Sequence, residues 1–243
     1  MNSIPGLLAA QQGGFTLTYI WNQATPEAKA IIVILLIFSI FAWSVMASKA
    51  LQMRRAQRLN HYFEAEFRQQ KSVLSIFDRK LQVEGCPLFS VYLDGCNDLE
   101  GHLKAADGAR RVHATLKGME HVKRSLEGSV ARESLRLESG LVLLAVAVSG
   151  APFLGLLGTV WGVMDAFGGV AVAAQAGARA DLAVMAPGVS AALVTTVAGL
   201  LVAIPSMFGY NWLVHTLRVH TVELDNFAQA LASRMETEFL KDE

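Results

Sequence analysis

Hydroxyl groups embedded in apolar sequence are the first residues of this chain that invite a chemical reading. Thr159, Thr195 and Thr196 stand inside long uncharged stretches. A threonine so placed either returns its hydrogen bond to a carbonyl one turn back or lines a narrow wet path. Spacing alone leaves both open. The nearby carboxylate is Asp165, at the outer end of the second stretch, where a helix-end or interface role suits it and a proton-relay role is the bolder candidate. The six histidines, His61, His102, His113, His121, His215 and His220, do not converge on one face and read as solvated or interfacial groups. His215 is the one whose place near the end of the last stretch suits pH sensing, with a headgroup contact as the simpler reading. Cys86 and Cys96 come with no Cys-x-x-Cys or His-x-x-x-His spacing, so no metal site or disulfide framework is expected and both read as inert reduced thiols. Neither a phosphate-binding Gly-x-x-x-x-Gly-Lys-Ser/Thr loop, nor His-Glu-x-x-His, nor Gly-x-Ser-x-Gly occurs. An enzyme is not expected, and no cofactor.

The elements that must hold those hydroxyls are membrane helices. The 243 residues are 53% hydrophobic and only 17% charged, against about a quarter charged in a soluble domain. Twenty-one basic residues balance twenty-one acidic ones, so the totals give no reason to expect a nucleic-acid partner. Residues 30–48 are nineteen uncharged positions, close to the length that crosses about 30 Å of hydrocarbon. Thr25 before Pro26 reads as the cap of that helix. The stretch begins late and lacks a basic leader, so a retained span is expected rather than a cleaved signal. Residues 139–164 and 182–217 are uncharged for 26 and 36 positions. Each contains a proline, Pro152 and Pro205, which a membrane helix tolerates when neighbours satisfy the freed carbonyl.

Between the first two spans, residues 49–138 hold 16 Lys and Arg against 12 Asp and Glu, whereas the hairpin 165–181 holds Arg179 as its one basic residue. By the positive-inside rule the large loop and the tail 218–243 are cytoplasmic, and the segment 1–29 and the hairpin face outward. Arg54, Arg55 and Arg58, just past the first span, are placed to meet anionic lipid headgroups or to act as an ordinary positive-inside anchor. Within the loop, Leu59, Phe63 and Phe67, then Val73, Ile76 and Phe77, recur at helical spacing. After the third span Leu217, Leu224, Phe227, Leu231 and Met235 continue an apolar stripe. The expected fold is all-α: three transmembrane helices, N-out and C-in, with long cytoplasmic helical extensions.

Small residues mark how the spans pack. Gly188, Ala192, Thr196, Gly199, Ala203 and Ser206 share one helical face, and Leu193, Val197, Leu200, Ile204 and Phe208 share the other. In the second span Gly155, Gly158 and Gly162 surround Thr159. Such faces permit close backbone approach.

The stretches GLLGTVWGVMDAF (155–167) and APGVSAALVTTVAGLLVAIPSMFGYN (186–211) resemble the paired signature of the MotA/TolQ/ExbB proton-channel family, nearest to its TolQ and ExbB members. FSIFAWSVMASKA in the first span resembles the corresponding span, while the large loop matches only in size and position. The resemblance implies a stator subunit of the bacterial inner membrane: a homo-oligomer, five copies in the family, around the single spans of a TolR/ExbD-type partner whose aspartate carries H+, with force passed to a TolA/TonB-type protein. It implies that Thr159 and Thr196, with Thr195 beside them, are hydroxyls of the ion path. The TolQ role would serve envelope integrity and division, and the ExbB role outer-membrane uptake; a non-conducting scaffold is the reading from another class. One position departs from the family pattern. Where many relatives carry glutamate in a Pro-Gly-Ile-Ala-Glu-Ala-Leu run, this chain has Ala191, which cannot ionise.

Overall fold

The structure, a computed structural model, describes residues 25–80, 82–104, 113–177 and 182–240. Most of the expected outer segment 1–29, parts of the large loop and hairpin, Arg179 among them, and the last three residues lie outside that set. The helices are α1 (Pro26–Gln69), α2 (Ser75–Asp78), α3 (Pro87–Leu103), α4 (Leu116–Glu138), α5 (Leu141–Gln175) and α6 (Leu182–Phe239). Among the described residues there is no strand, and three helices are long and apolar enough to cross a membrane. The chain forms two compact units, one of Met1–Val45 with Val142–Tyr210, the other of Met46–Leu141 with Asn211–Glu243.

The first unit consists of the apolar parts of α1, α5 and α6. Thr25 caps α1 as its sequence suggests: its Oγ1 accepts from the Ala28 amide at 3.4 Å and its carbonyl from Lys29 at 3.1 Å. In lipid, burying a leucine gains little over leaving it among acyl chains, so close backbone packing holds the helices together instead. The buried residues fit that rule. Ile31 and Leu35 of α1 pack with Ala151 and Ala203, and Ala28 packs with Ala191. Large apolar side chains point away from the unit: Phe41, Phe153, Leu193, Val197, Ile204 and Phe208 are exposed. Hydroxyls beside two of the prolines bond one turn back, Ser149 to the Ala145 carbonyl and Ser206 to that of Val202. The helix α5 runs on through residues 165–175 and stops at a left-handed Gly177 (φ +73°), so the first eleven residues of the expected hairpin are helical.

The second unit is built on an ordinary hydrophobic core. Phe63 and Phe67 of α1, Phe89 and Tyr92 of α3, and Phe227 of α6 form one aromatic cluster with ring centroids 5.4–6.2 Å apart. Around it Leu99, Leu103, Met119, Leu126, Leu224, Leu231 and Met235 are fully buried. The apolar stripes read from the loop and tail are therefore the core-facing stripes of amphipathic helices. Tyr92 is tied at both ends of its hydroxyl, donating to the Val73 carbonyl at 2.7 Å and accepting from the Phe77 amide at 2.9 Å. Burial pushes its phenol well above the ordinary range. Glu238 closes the turn before α2 by accepting from the Val73 amide at 2.8 Å.

Between α4 and α5 the chain breaks at Ser139 and Gly140, the latter at φ +86°. Lys49, only 9% exposed, fills this corner: its ammonium donates to the Leu137 carbonyl at 3.3 Å, to Ser139 Oγ at 3.4 Å and to Gln52 Oε1 at 2.9 Å. A cation at a helix C-terminus satisfies orphaned carbonyls and meets the negative end of the helix dipole.

Candidate functional site

Glycines in α5 set the geometry of the three threonines. A Cβ at Gly155 would lie 3.0 Å from the Thr196 Cα, and one at Gly162 would lie 2.8 Å from the Ala192 Cβ. A Cβ at Gly199 would come within 2.6 Å of the Ala151 carbonyl oxygen. The expected packing residues Gly155, Gly158, Gly162, Gly188, Ala192 and Gly199 thus meet across one α5–α6 seam, and Ala203 is buried next to Ala151.

The threonines occupy different parts of that seam. Thr195 is fully buried and its single proton is shared between the Ala192 carbonyl at 2.6 Å and the Gly155 carbonyl at 3.3 Å. Its hydroxyl lies inside the packing of the two helices, in contact with the Gly158 backbone, because 100° of helical rotation separates it from the flank that Thr196 takes. Thr196 is half-buried and donates to the same Gly155 carbonyl at 3.1 Å. Thr159, also half-buried, donates to the Leu156 carbonyl at 2.6 Å. With their protons turned toward the backbone, Thr159 and Thr196 present oxygen lone pairs, which accept from water or from a protonated carboxylic acid. Rotation about C–O lets each hydroxyl reverse that role.

The carboxylate is not part of this group. Asp165 stands about 120° around α5 from Thr159 and about 20° from Leu154, which packs on the Ile31 and Leu35 cluster of α1. Its Oδ2 is buried and has no hydrogen-bond partner among the described residues. On α6, Ala191 lies about 140° from Thr196 and is sealed against Ala28. The position that departs from the family pattern is therefore buried where two methyl groups meet. Thr159 and Thr196 flank the α5–α6 seam on one side and Asp165 on the other.

The other expected residues are dispersed. Arg54 and Arg58 line one groove of the second unit and Arg55 another. His102 and His121 stack with centroids 5.7 Å apart, and His220 is buried with Nδ1 3.2 Å from Glu223 Oε2. No cluster of metal-ligating side chains occurs among the described residues. Both cysteines are buried; the Cys86 Sγ lies 3.4 Å from Asn60 Oδ1, and burial pushes its thiol up. The Lys49 cap is missed by sequence reasoning, which treats that lysine only as the end of an uncharged stretch; the Ser-Gly break before α5 was the signal to look for a capping cation.

Comparison with known proteins follows the same lines as the geometry. The model of the MotA/TolQ/ExbB proton channel family matches residues 100–226. A "Biopolymer transport protein ExbB" of Neisseria meningitidis serogroup A is 28% identical over 221 residues, 90% of this chain and 96% of the relative. A "Tol-Pal system protein TolQ" of Haemophilus influenzae is 30% identical over 207 residues, 84% of this chain and 85% of its own length. A TolQ of Pseudomonas aeruginosa is 44% identical over 93 residues, 38% of each chain. Three apolar helices, a glycine-threonine seam and these matches make the chain an inner-membrane protein of ExbB/TolQ type, and it belongs to the MotA/TolQ/ExbB proton channel family.

Proposed function

We propose that this chain is the channel-forming stator subunit of a TolQ-like motor, which spends the proton gradient on work at the periplasm and outer membrane. The observation that carries the reading is the pair Thr159 and Thr196, half-buried hydroxyls on one flank of the α5–α6 seam, anchored to backbone carbonyls. On this reading several copies, five by analogy with the family, surround a single-span TolR/ExbD-type partner. The partner's carboxylic acid exchanges hydrogen bonds with the threonine ring as it crosses the membrane. The spans are 30–48, 139–164 and 182–217, N-out and C-in, and Arg54, Arg55 and Arg58 act as the positive-inside anchor past the cytoplasmic end of the first. Each proton moving through about 100 mV releases about 2.3 kcal/mol, so a working stroke sums several crossings. Thr195 supports the path from behind, by holding the two helices together. Asp165 would relay protons only if a neighbouring copy brought acceptors to its side of the seam.

A second reading is an ExbB role in outer-membrane uptake, supported by the ExbB relative that aligns along 90% of this chain. Proton flux into vesicles containing this chain and its partner tests the shared claim. Thr196→Val should assemble normally and lose most flux; full flux in the assembled variant leaves a scaffold whose small-residue faces only pack. Detergent sensitivity on deletion supports the TolQ role, and loss of TonB-dependent uptake supports the ExbB role.

A further inference from the structure

The second unit carries two grooves of opposite charge, one on each side of the last helix. The larger, a cavity of about 880 Å³, lies between α1 and α6 and is lined by Arg54, Arg58, His61, Arg68 and Arg234, with Glu64 and Glu223 as its acids. The smaller, about 350 Å³, lies between α4 and α6 and is lined by Glu127, Asp225 and Glu236, with Lys123 as its base. Four arginines face two glutamates in the first, and three carboxylates face one lysine in the second. The arginines split in their commitments. Arg68 pairs with Glu64 at 2.6 Å, and Arg234 donates to the Gln70 carbonyl at 2.9 Å and lies over the Phe67 ring. Arg54, Arg58 and His61 are exposed and make no hydrogen bond or ion pair among the described residues. In the acidic groove Glu127 is likewise exposed and unpaired, and Asp225 has only Gln229 of its own helix, at 2.9 Å.

The placement of the grooves has a symmetry consequence. On α6, Glu223, Asn226, Ala230 and Arg234 face the basic groove, and Asp225, Gln229, Ala232 and Glu236 face the acidic one. At 100° per residue these arcs are about 135° apart. A surface that complements its own far side, rather than itself, forms heterologous contacts, which close into a ring when the rotation between copies divides a full turn. Height matches as well. The basic groove takes α1 from Arg54 to Arg68 and α6 from Glu223 to Arg234, with Arg234 bonded to Phe67 and Gln70, so Arg58 is level with about residues 223–225 of α6. Rotating a second copy about an axis parallel to α6 therefore presents its Asp225 at the height of Arg58. Val219 and Val222, exposed and one turn before Glu223 and Asn226 on the same face, add an uncovered apolar margin to the basic side.

We propose that the occupant of the basic groove is the acidic α4–α6 face of the next copy of this chain, so that Arg54 and Arg58 of one subunit pair with Asp225 and Glu127 of its neighbour and set the direction of the ring. The proposal rests on the homo-oligomeric reading above and names the surface that makes it.

Cysteine cross-linking in membranes holding the full chain and its partner tests it; the native thiols are buried and stay silent. The double variant Arg58→Cys with Asp225→Cys should oxidise to a ladder of dimers and higher species, and the two single variants should give none alone and dimers only when co-expressed. Dimers from a single variant alone, or an intact oligomer by native mass spectrometry with no ladder, overturn the proposal and leave the oligomer standing. A monomeric chain overturns both. Charge reversal gives a second readout: Arg54→Glu with Arg58→Glu should weaken assembly at least tenfold at low salt, and adding Glu127→Arg with Asp225→Arg should restore it. Failure of that restoration with the single-pair variants folded also rejects the pairing.

Discussion

Thr195 occupies the space that a side chain at Gly158 would need: a Cβ there would fall 2.2 Å from the Thr195 Oγ1 and 2.5 Å from its Cβ. The absence of a side chain at 158 and the presence of a hydroxyl at 195 are one feature of the α5–α6 seam. Overpacking of a close seam costs about 1–3 kcal/mol. Gly158→Val should lower the melting temperature of the detergent-solubilised chain, and Thr195→Gly in the same chain should recover part of the loss. Equal stability of Gly158→Val and the parent chain would contradict the packing.

Ala191 is sealed against Ala28, so restoring the glutamate of the family pattern is not neutral in this chain. An unpaired polar group in an apolar site costs about 2 kcal/mol or more. Ala191→Glu should be less stable in thermal unfolding, and Ala28→Gly should relieve part of the cost by opening the facing wall. A fully stable Ala191→Glu variant would contradict the sealed contact between Ala191 and Ala28.

Lys49 closes the end of α4 across 88 residues of sequence. Its loss removes both a cap and a charge that complements the helix end, together about 1–2 kcal/mol. Lys49→Met keeps the aliphatic stem and loses the donors. Hydrogen exchange at the amides near Leu137 and Ser139 should quicken in that variant, with the aromatic cluster unchanged; slowed or unaltered exchange at the helix end removes the capping role.

Tyr92 gives the second unit a pH limit. Burial holds its phenol, and the Cys86 thiol, in the protonated form past the pH at which the unfolded chain would release those protons. The folded state binds more protons there, so stability present at neutral pH declines as pH rises past about 10 for the phenol. Tyr92→Phe should flatten that alkaline decline. It should also lower stability at neutral pH by about 1–3 kcal/mol, because the Val73 carbonyl and Phe77 amide lose their partner. Urea titrations at several pH values measure both effects, and an unchanged alkaline slope rejects the assignment to Tyr92.

Features that repeat along one helix were legible in the residues. The two faces of α6, small from Ala192 to Ser206 and bulky from Leu193 to Phe208, follow from the helical period and survive folding unchanged. So do the core stripe Leu224, Phe227, Leu231 and Met235 and the cap at Thr25. Local geometry and apolarity are enough for these, since every residue involved lies within a few turns of the others. The unbroken passage of α5 through residues 165–175 was less legible, because Asp165 marks the end of an uncharged run without marking the end of a helix.

What only the tertiary structure decided is which arc of each helix meets a neighbour. Thr195 and Thr196 are adjacent in sequence and alike in chemistry, and 100° of rotation puts one inside the seam and the other on its flank. The same rotation parts Asp165 from Thr159 and joins Ala191 to Ala28. Sequence determined the number of apolar helices, their small faces and the family; the register between helices, a long-range quantity that no local pattern encodes, decided which hydroxyls are packed into the seam and which stay on its flank.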